Sequence, residues 1–137
     1  MSASWHPLPT ISEDSEEFWA STHEHAMKMQ KCSRCGKFRF YPSLACHFCA
    51  SLDFTWEPIT GKGKIHSWTL LERARGNPFE DQVPINIGLV ELEEGPIITT
   101  NLIGFDDREP EIDESVTLEY EDVNDEITLY VFRPDRG

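Results

Sequence analysis

The sequence predicts a mainly β protein in which an N-terminal helix and a four-cysteine metal site precede a C-terminal barrel of five or six strands. Three observations in the 137 residues support this prediction. Acidic residues precede a short segment that is predicted to be helical, and two pairs of closely spaced cysteines follow it. The rest of the chain alternates apolar and polar residues in short runs separated by turn residues.

The helix is predicted from about Asp14 to His25. Thr10 stands three residues before Glu13, which is the spacing of a capping box, and the neighbouring acids favour the positive N-terminal end of a helix dipole. Residues 1–11 contain two prolines and no periodic pattern, so we interpret them as an arm. Residues 27–30 alternate apolar and polar side chains and predict a short strand that enters the first cysteine pair.

The chain beyond residue 53 predicts the barrel. Alternation and turn residues define candidate strands at 64–75, 85–90, 97–103, 116–120 and 127–132. Short connections between five or six strands suit a small closed barrel, and the five-stranded Greek-key OB barrel is the candidate. Alternation also predicts the inward-facing side chains, namely Ile65, Ile87, Leu89, Val116, Leu118 and Leu129. The predicted units are 1–30 for the arm and helix, 31–52 for the metal site and 53–137 for the barrel.

The cysteines follow the pattern C-x2-C-x10-C-x2-C, with ligands at Cys32, Cys35, Cys46 and Cys49. Two residues between paired cysteines let one tight turn direct both sulfurs toward a single ion. Two such turns supply four thiolates in the tetrahedral geometry of structural zinc sites. Four thiolates leave no open position for water, so the predicted role of the zinc is structural. Iron is the alternative metal, because four thiolates suit it too.

The net charge narrows the class of partners. The chain has 12 Lys and Arg against 25 Asp and Glu, a formal net charge of −13. This balance opposes binding to nucleic acid and to anionic membranes. No apolar run approaches the roughly 20 residues that span a bilayer, and the first residues lack the basic and apolar regions of a signal peptide. We therefore expect a cytoplasmic protein, in which four cysteines are metal ligands rather than disulfides.

The sequence contains no convincing catalytic constellation. His23 and His25 are two residues apart, so on a helix they face different directions. Ser67 lacks the glycines of a nucleophile elbow, and residues 61–63 lack the Lys-Ser/Thr ending of a phosphate loop. A small acidic barrel with a closed metal site and no catalytic set is expected to be a subunit and not a self-sufficient enzyme.

Several segments in order resemble the DUF35 family. They are Phe18-Trp19, Gln30 to Gly36, Tyr41-Pro42, the second cysteine pair, Trp56, Gly61 to Thr69, Gly88 to Pro96, Asn101 to Gly104 and Phe132 to Pro134. The resemblance covers about residues 17–135 and implies a rubredoxin-like zinc ribbon joined to an OB-fold. It also implies partners, since family members associate with thiolase-fold enzymes that act on acyl-CoA thioesters. Some of those enzymes are retro-aldolases that shorten the side chains of steroid CoA esters. Ile97 departs from the pattern, because the family often has Arg after Gly-Pro.

From this resemblance we expect a non-catalytic accessory subunit that docks onto a thiolase-fold enzyme, with acyl-CoA at a shared interface of the hetero-oligomer. Interface cores favour aromatic residues and Met. The predicted partner-binding residues are Trp5, Phe18, Trp19 and Met27, in a stretch too short to bury them all against one small barrel. The alternative is that Phe18 and Trp19 seat the helix on the ribbon. The loop from Gly76 to Pro84 is predicted near the mouth of a substrate channel, at Asn77, Pro78 and Phe79.

Two other classes of function stay open from the sequence. Zinc ribbons and OB-folds often bind single-stranded nucleic acid, which requires a basic groove with stacking aromatic residues. Trp56 and Trp68 supply aromatic rings, but the net charge has the wrong sign. The other class is a rubredoxin-like electron carrier, although such carriers are normally smaller and need no barrel. Retention on heparin favours the first class, and visible thiolate-to-iron absorption favours the second.

Overall fold

The computed structural model describes residues 9–72 and 84–135. These residues form one helix and eight strands, which confirms the mainly β fold with an N-terminal helix. In chain order they are α1 (Glu16–His23), β1 (Lys28–Cys32), β2 (Phe38–Arg39), β3 (Phe54–Pro58), β4 (Lys62–Leu71), β5 (Ile85–Leu92), β6 (Ile97–Leu102), β7 (Ser115–Asp122) and β8 (Thr128–Pro134).

The first sheet is an antiparallel ribbon in the order β2-β1-β3. β1 pairs with β3 along its whole length, from Lys28 opposite Pro58 to Cys32 opposite Phe54. The sequence predicts β3 in the barrel, but the structure places it in the ribbon. The chain returns beside β1 after the second cysteine pair, where the backbone N–H of Ser33 donates to the carbonyl oxygen of Asp53 at 3.0 Å. The ribbon sheet therefore extends over residues 28–58 and not only over 31–52.

Five strands of the described chain close into the predicted barrel, in the order β4-β5-β6-β8-β7, with β7 pairing back to β4. Neighbouring strands are antiparallel except β6 and β8, which are parallel. Gly63 lies where β4 pairs with both of its neighbours, opposite Leu92 and Val116. A Cβ at this position would lie 2.6 Å from Cγ1 of Val90. Glycine therefore allows the close approach of strands that closes the barrel.

The register of β5 corrects one prediction about the barrel core. Val90 and Leu92 are buried in the core, whereas Leu89 is 37% exposed and Ile87, which shares its face by alternation, is only half-buried. β5 is apolar on both faces, so the alternation of its sequence does not decide which set points inward. The prediction is confirmed at Ile65 and Val116, which are fully buried, and Leu118 and Leu129 are partly buried.

Helix α1 is shorter than predicted, and it does not use the predicted capping box. A turn at Ser12–Ser15 precedes it, in which the backbone N–H of Ser12 donates to Oγ of Ser15 at 2.9 Å. The helix ends two residues before His25, whose φ of 60° turns the chain toward β1.

Neither α1 nor any other helical segment in residues 9–72 and 84–135 has the length and apolarity needed to cross a bilayer.

The end of α1 is attached to the barrel through polar contacts. Nε2 of His25 lies 2.9 Å from Oδ1 of Asp122, and the His25 ring stacks on Tyr120 with centroids 4.8 Å apart. Nδ1 of His23 lies 3.0 Å from Oγ1 of Thr128, and the Thr128 hydroxyl donates to the Asp122 carboxylate at 2.6 Å. Because β1 follows α1 directly, these contacts also fix the ribbon relative to β7 and β8.

Candidate metal centre

The first cysteine pair lies in a tight turn that directs backbone N–H groups at sulfur. The N–H of Gly36 donates to the carbonyl oxygen of Cys32 at 3.0 Å, and the N–H of Cys32 donates to the carbonyl oxygen of Lys37 at 2.9 Å. Inside the turn, the N–H groups of Arg34 and Cys35 both lie 3.4 Å from Sγ of Cys32. Gly36 closes the turn with a φ of 78°, a conformation that glycine adopts without strain.

The second cysteine pair repeats this backbone arrangement. The N–H of Ala50 donates to the carbonyl oxygen of Cys46, and the N–H of Cys46 donates to that of Ser51, both at 2.9 Å. The N–H of Phe48 lies 3.4 Å from Sγ of Cys46. Ala50 takes the left-handed position with a φ of 65°, where a side chain with a Cβ is disfavoured. The two turns are therefore equivalent halves of one site.

The four sulfur atoms converge at a single point between the turns. The Sγ atoms of Cys32, Cys35, Cys46 and Cys49 all lie within 4.8 Å of one another. The Cys32–Cys49 and Cys35–Cys46 sulfur distances are each 3.6 Å. A tetrahedral ion with sulfur bonds of about 2.3 Å requires sulfur–sulfur edges of about 3.8 Å. The donor set and its spacing fit a tetrathiolate metal ion, as the sequence predicts.

The thiols of Cys32 and Cys35 have pKa values that are shifted in opposite directions. The backbone N–H of Cys35 stabilises the thiolate of Cys32 and, with other donors, lowers its pKa to about 6. The N–H of Lys37 favours the Cys35 thiolate, but desolvation and the neighbouring sulfurs outweigh it and raise the pKa of Cys35 to about 11. Four negative charges this close together repel each other, so a divalent cation is what allows all four thiols to lose their protons.

Arg39 supports the metal site from inside the ribbon. Its side chain is 2% exposed. Nη1 donates to the carbonyl oxygen of Ser43 at 3.0 Å, and Nη2 donates to that of Ser51 at 3.2 Å. The Ser51 carbonyl oxygen also accepts from the N–H of Cys46, so Arg39 holds the second turn. The guanidinium lies 4.8 Å from the ring centroid of Phe54. The sequence reasoning missed this role, although Arg39 stands alone between two aromatic residues in β2.

The predicted partner-binding residues have different environments. Phe18 and Met27 are 1% and 2% exposed and lie in the chain's own core, which corrects the expectation that this stretch cannot bury its large apolar side chains. Trp19 is half-buried at the edge of the same cluster, and its ring centroid lies 5.0 Å from that of Phe18. Phe18 also contacts Phe40 of the ribbon, at 6.0 Å between centroids. Phe18 therefore packs α1 against the ribbon, which agrees with the alternative to a partner-binding role.

Four predicted site residues lie outside the described residues. They are Trp5 in the arm and Asn77, Pro78 and Phe79 in the loop predicted near the substrate channel. Their roles stay predictions.

The side chain of Thr128 lies between a histidine and a carboxylate. This grouping resembles the catalytic triad of a hydrolase, in which a hydroxyl group is the nucleophile. The Thr128 side chain is 0% exposed, and its hydroxyl donates to Asp122 and not to His23. A substrate cannot reach this hydroxyl, so the grouping attaches α1 to the barrel and does not perform chemistry.

These features define a protein made of a tetrathiolate ribbon and an OB-fold barrel, and comparison with known families agrees. Residues 19–55 match the family described as "ChsH2, rubredoxin-like zinc ribbon domain". Residues 56–121 match that described as "ChsH2, C-terminal OB-fold domain". The chain belongs to the DUF35 family, in agreement with the resemblance of its sequence.

Known relatives include chains of similar length and chains that are much longer than this one. A "DUF35 domain-containing scaffold protein" of Methanothermobacter thermautotrophicus is 31% identical over 70% of this chain and 72% of its own length. A "Probable enoyl-CoA hydratase alpha subunit" of Thermomonospora curvata is 31% identical over 93% of this chain but only 40% of its own length. A solved chain of the "Ltp2-ChsH2(DUF35) aldolase" superposes with a TM-score of 0.80 at 30% identity, over 92% of this chain and 98% of the other.

Proposed function

We propose that this protein is a non-catalytic accessory subunit of a heteromeric enzyme that acts on acyl-CoA thioesters, and that its partner is a thiolase-fold aldolase. The observation that carries the proposal is the likeness to the DUF35 chain of the solved aldolase, which extends over nearly the whole of both chains. The name of that complex pairs its DUF35 component with a second protein, Ltp2.

The scaffold role agrees with the chemistry of the metal site. Cys32, Cys35, Cys46 and Cys49 would hold a zinc ion with four sulfur ligands, which leaves no position for a substrate or an activated water. The metal then contributes to folding of the ribbon, and Arg39 and the backbone N–H groups orient the ligands. Relatives named as scaffold proteins support the same interpretation.

The hydratase alpha subunits support the acyl-CoA class and not a particular reaction. This chain spans about 40% of the length of the relative from Thermomonospora curvata. The longer relative therefore contains a region similar to this chain together with a further segment. Acyl-CoA at an interface shared with the partner is part of the proposal, and the steroid CoA esters expected from the family resemblance are the first substrates to test.

Co-expression tests the proposal. The chain is produced together with the thiolase-fold enzymes of its own genome, and each pair is purified through a tag on this chain. We expect a stable complex with at least one such enzyme and cleavage of a steroid acyl-CoA by that complex, measured by mass spectrometry of the products. Cleavage by the isolated chain would overturn the accessory role, and failure to bind any thiolase-fold enzyme would overturn the proposed partner.

A further inference from the structure

The distribution of charge along the chain sets the ribbon apart. Residues 25–52 contain no Asp or Glu, although 25 of the 137 residues are acidic. The same segment contains five of the 12 Lys and Arg, all between Lys28 and Arg39. The ribbon is therefore a locally basic part of a chain whose net charge is −13. Four thiolates and a divalent ion would reduce this local charge but would not reverse its sign.

The same part of the ribbon exposes large apolar side chains. The four most exposed large hydrophobic residues of the described chain are Tyr41, Leu44, Phe48 and Leu52, at 58%, 72%, 63% and 61%. All four lie in residues 41–52, within the connection between β2 and β3 that carries the second cysteine pair. Single exposed apolar residues are ordinary on protein surfaces, but such a concentration marks an interaction site.

The basic and apolar features meet at the cysteine turns. Nζ of Lys37 lies 4.4 Å from the ring centroid of Phe48, and Arg34 is exposed in the first turn. We call the exposed side chains of Arg34, Lys37, Phe48 and Leu52 the ribbon tip. Leu44 is not part of it, because it lines a pocket with Glu13, Asp14 and Glu17. Aromatic and aliphatic groups beside cations are typical of the centre and rim of a protein–protein interface.

We propose that the ribbon tip is the surface through which this chain docks onto its enzyme partner, and that the partner presents an acidic surface with apolar pockets. The inference rests on the proposed accessory function and names the surface responsible. Charge complementarity identifies the partner's chemistry, because the ribbon tip is cationic while residues 1–24 and 53–137 contain all 25 acidic residues and seven of the 12 basic ones. An acidic partner is repelled by the net negative charge of that remainder and attracted at the ribbon tip, which favours one orientation of the complex.

Two other occupants fit the ribbon tip less well. Single-stranded nucleic acid requires several stacking rings along a basic groove, but the ribbon tip offers one ring, that of Phe48, beside the aliphatic Leu52. A second copy of this chain supplies an acidic surface, but two chains with a net charge of −13 repel each other at long range. Both occupants give distinct results in the experiment below.

The test uses the complex of the full chain with its thiolase-fold enzyme. Phe48→Ser combined with Leu52→Ser removes apolar contacts, and Arg34→Glu combined with Lys37→Glu reverses the charge. Matched controls lie on the barrel: Ile112→Ser replaces a side chain that is 57% exposed, and Lys64→Glu reverses an exposed charge. Zinc content and the far-ultraviolet spectrum of each variant confirm that the ribbon is folded before affinity is measured by calorimetry.

We expect each ribbon-tip variant to weaken binding about tenfold or more, while the barrel controls change it less than about twofold. Binding of the wild-type chain should also weaken as salt increases, and the charge-reversed variant should lose most of that dependence. Folded ribbon-tip variants that bind as tightly as wild type would overturn the inference alone. A wild-type chain that binds no thiolase-fold enzyme overturns the proposed function and the inference with it. Dimerisation, or binding to single-stranded DNA, that these same variants abolish would assign the surface to another occupant.

Discussion

The backbone N–H of Met27 donates a hydrogen bond of 2.9 Å to the phenol oxygen of Tyr120, which joins the entrance of the ribbon to barrel strand β7. The carbonyl oxygen of Met27 accepts from the N–H of Ile59 at 3.3 Å, immediately after β3. The chain therefore enters and leaves the ribbon at one point beside the barrel. Burial raises the pKa of Tyr120, so its phenol stays neutral and retains this role across the physiological range.

Tyr120→Phe is expected to destabilise the protein by about 1–3 kcal/mol, because it leaves the N–H of a buried residue without its partner. The measurement is the free energy of unfolding from urea denaturation of the zinc-loaded protein. Thr55→Val is the control, since the Thr55 hydroxyl is exposed and water can replace its hydrogen bond to the Glu57 carboxylate. Equal stability of the two variants would show that the Met27 contact contributes nothing.

Ala50→Gly is expected to stabilise the second cysteine turn by roughly 0.5–1 kcal/mol. Ala50 has a φ of 65°, and the relief of left-handed strain exceeds the entropy that glycine gains in the unfolded chain. The reverse change in the first turn, Gly36→Ala, should destabilise the protein by about 1 kcal/mol. A Cβ at Gly36 meets no atom within 4 Å, so that cost is conformational. Thermal unfolding at a fixed zinc concentration measures both changes.

Val90→Asp and Leu89→Asp test the register of β5. Val90 is 0% exposed and Leu89 is 37% exposed, so the first variant buries a charge and the second places one in water. We expect Val90→Asp to cost at least about 3 kcal/mol and to lower soluble yield. Leu89→Asp should keep a native circular dichroism spectrum. The opposite ranking of the two variants would restore the register predicted from the sequence.

Asp122 gives a defined dependence of stability on pH. The Thr128 hydroxyl and the His25 ring hold the pKa of Asp122 below its ordinary value of 3.8. A carboxyl group with a depressed pKa in the folded state stabilises the protein above that ordinary value, and its contribution is lost as the pH falls through the lower folded-state value. Asp122→Asn should therefore reduce the loss of stability that occurs as the pH falls from about 4 through the lower folded-state pKa.

The comparison uses metal-loaded protein and takes the difference between variant and wild type at each pH, so that any release of metal by acid affects both proteins alike. Asp125→Asn, in the exposed turn between β7 and β8, is the matched control. If both variants keep the pH dependence of the wild type, the contacts of Asp122 do not contribute to it.

Metal removal should unfold the ribbon before the barrel. We expect close to one zinc ion per chain and loss of protection of backbone amides in residues 28–58 on chelation, because binding energy at such sites is folding energy. The barrel should keep its protection, since its strands pair without the cysteines. Cys35→Ser should reproduce the chelated state. Mass spectrometry under native conditions and hydrogen exchange provide the readouts, and an unchanged ribbon after complete chelation would contradict the structural role.

The spacing of residues that are close in the sequence was enough to predict the metal site. The same kind of local pattern did not predict how the strands pack against one another. The spacing of Cys32 and Cys35 determines a turn whose hydrogen bonds lie within six residues, so no distant contact is needed to predict it. The inward face of β5 depends on which side the other strands cover, and an apolar strand is compatible with either choice. The position of β3 depends likewise on pairing with β1, about 26 residues away in the sequence.

Arg39 and Phe18 show the same limit. An arginine in a two-residue strand gives no signal that it will be enclosed, because its partners are carbonyl oxygens that every residue carries. The burial of Phe18 requires that α1, the ribbon and β8 meet at one place, as its contacts with Phe40 and Tyr130 show.

The position of β8 has a consequence for biosynthesis. β8 is the last strand along the sequence, yet it lies inside the barrel between β6 and β7. While the ribosome is still adding residues before 128, β6 and β7 have free edges that cannot pair with each other in the native way. All pairings of the ribbon lie within residues 28–58, so it can form once these residues have emerged and a metal ion has met the four cysteines. The nascent chain can therefore acquire its ribbon early, and its sheet stays unclosed until residue 134 leaves the exit tunnel, an interval in which unpaired strand edges are exposed to other chains.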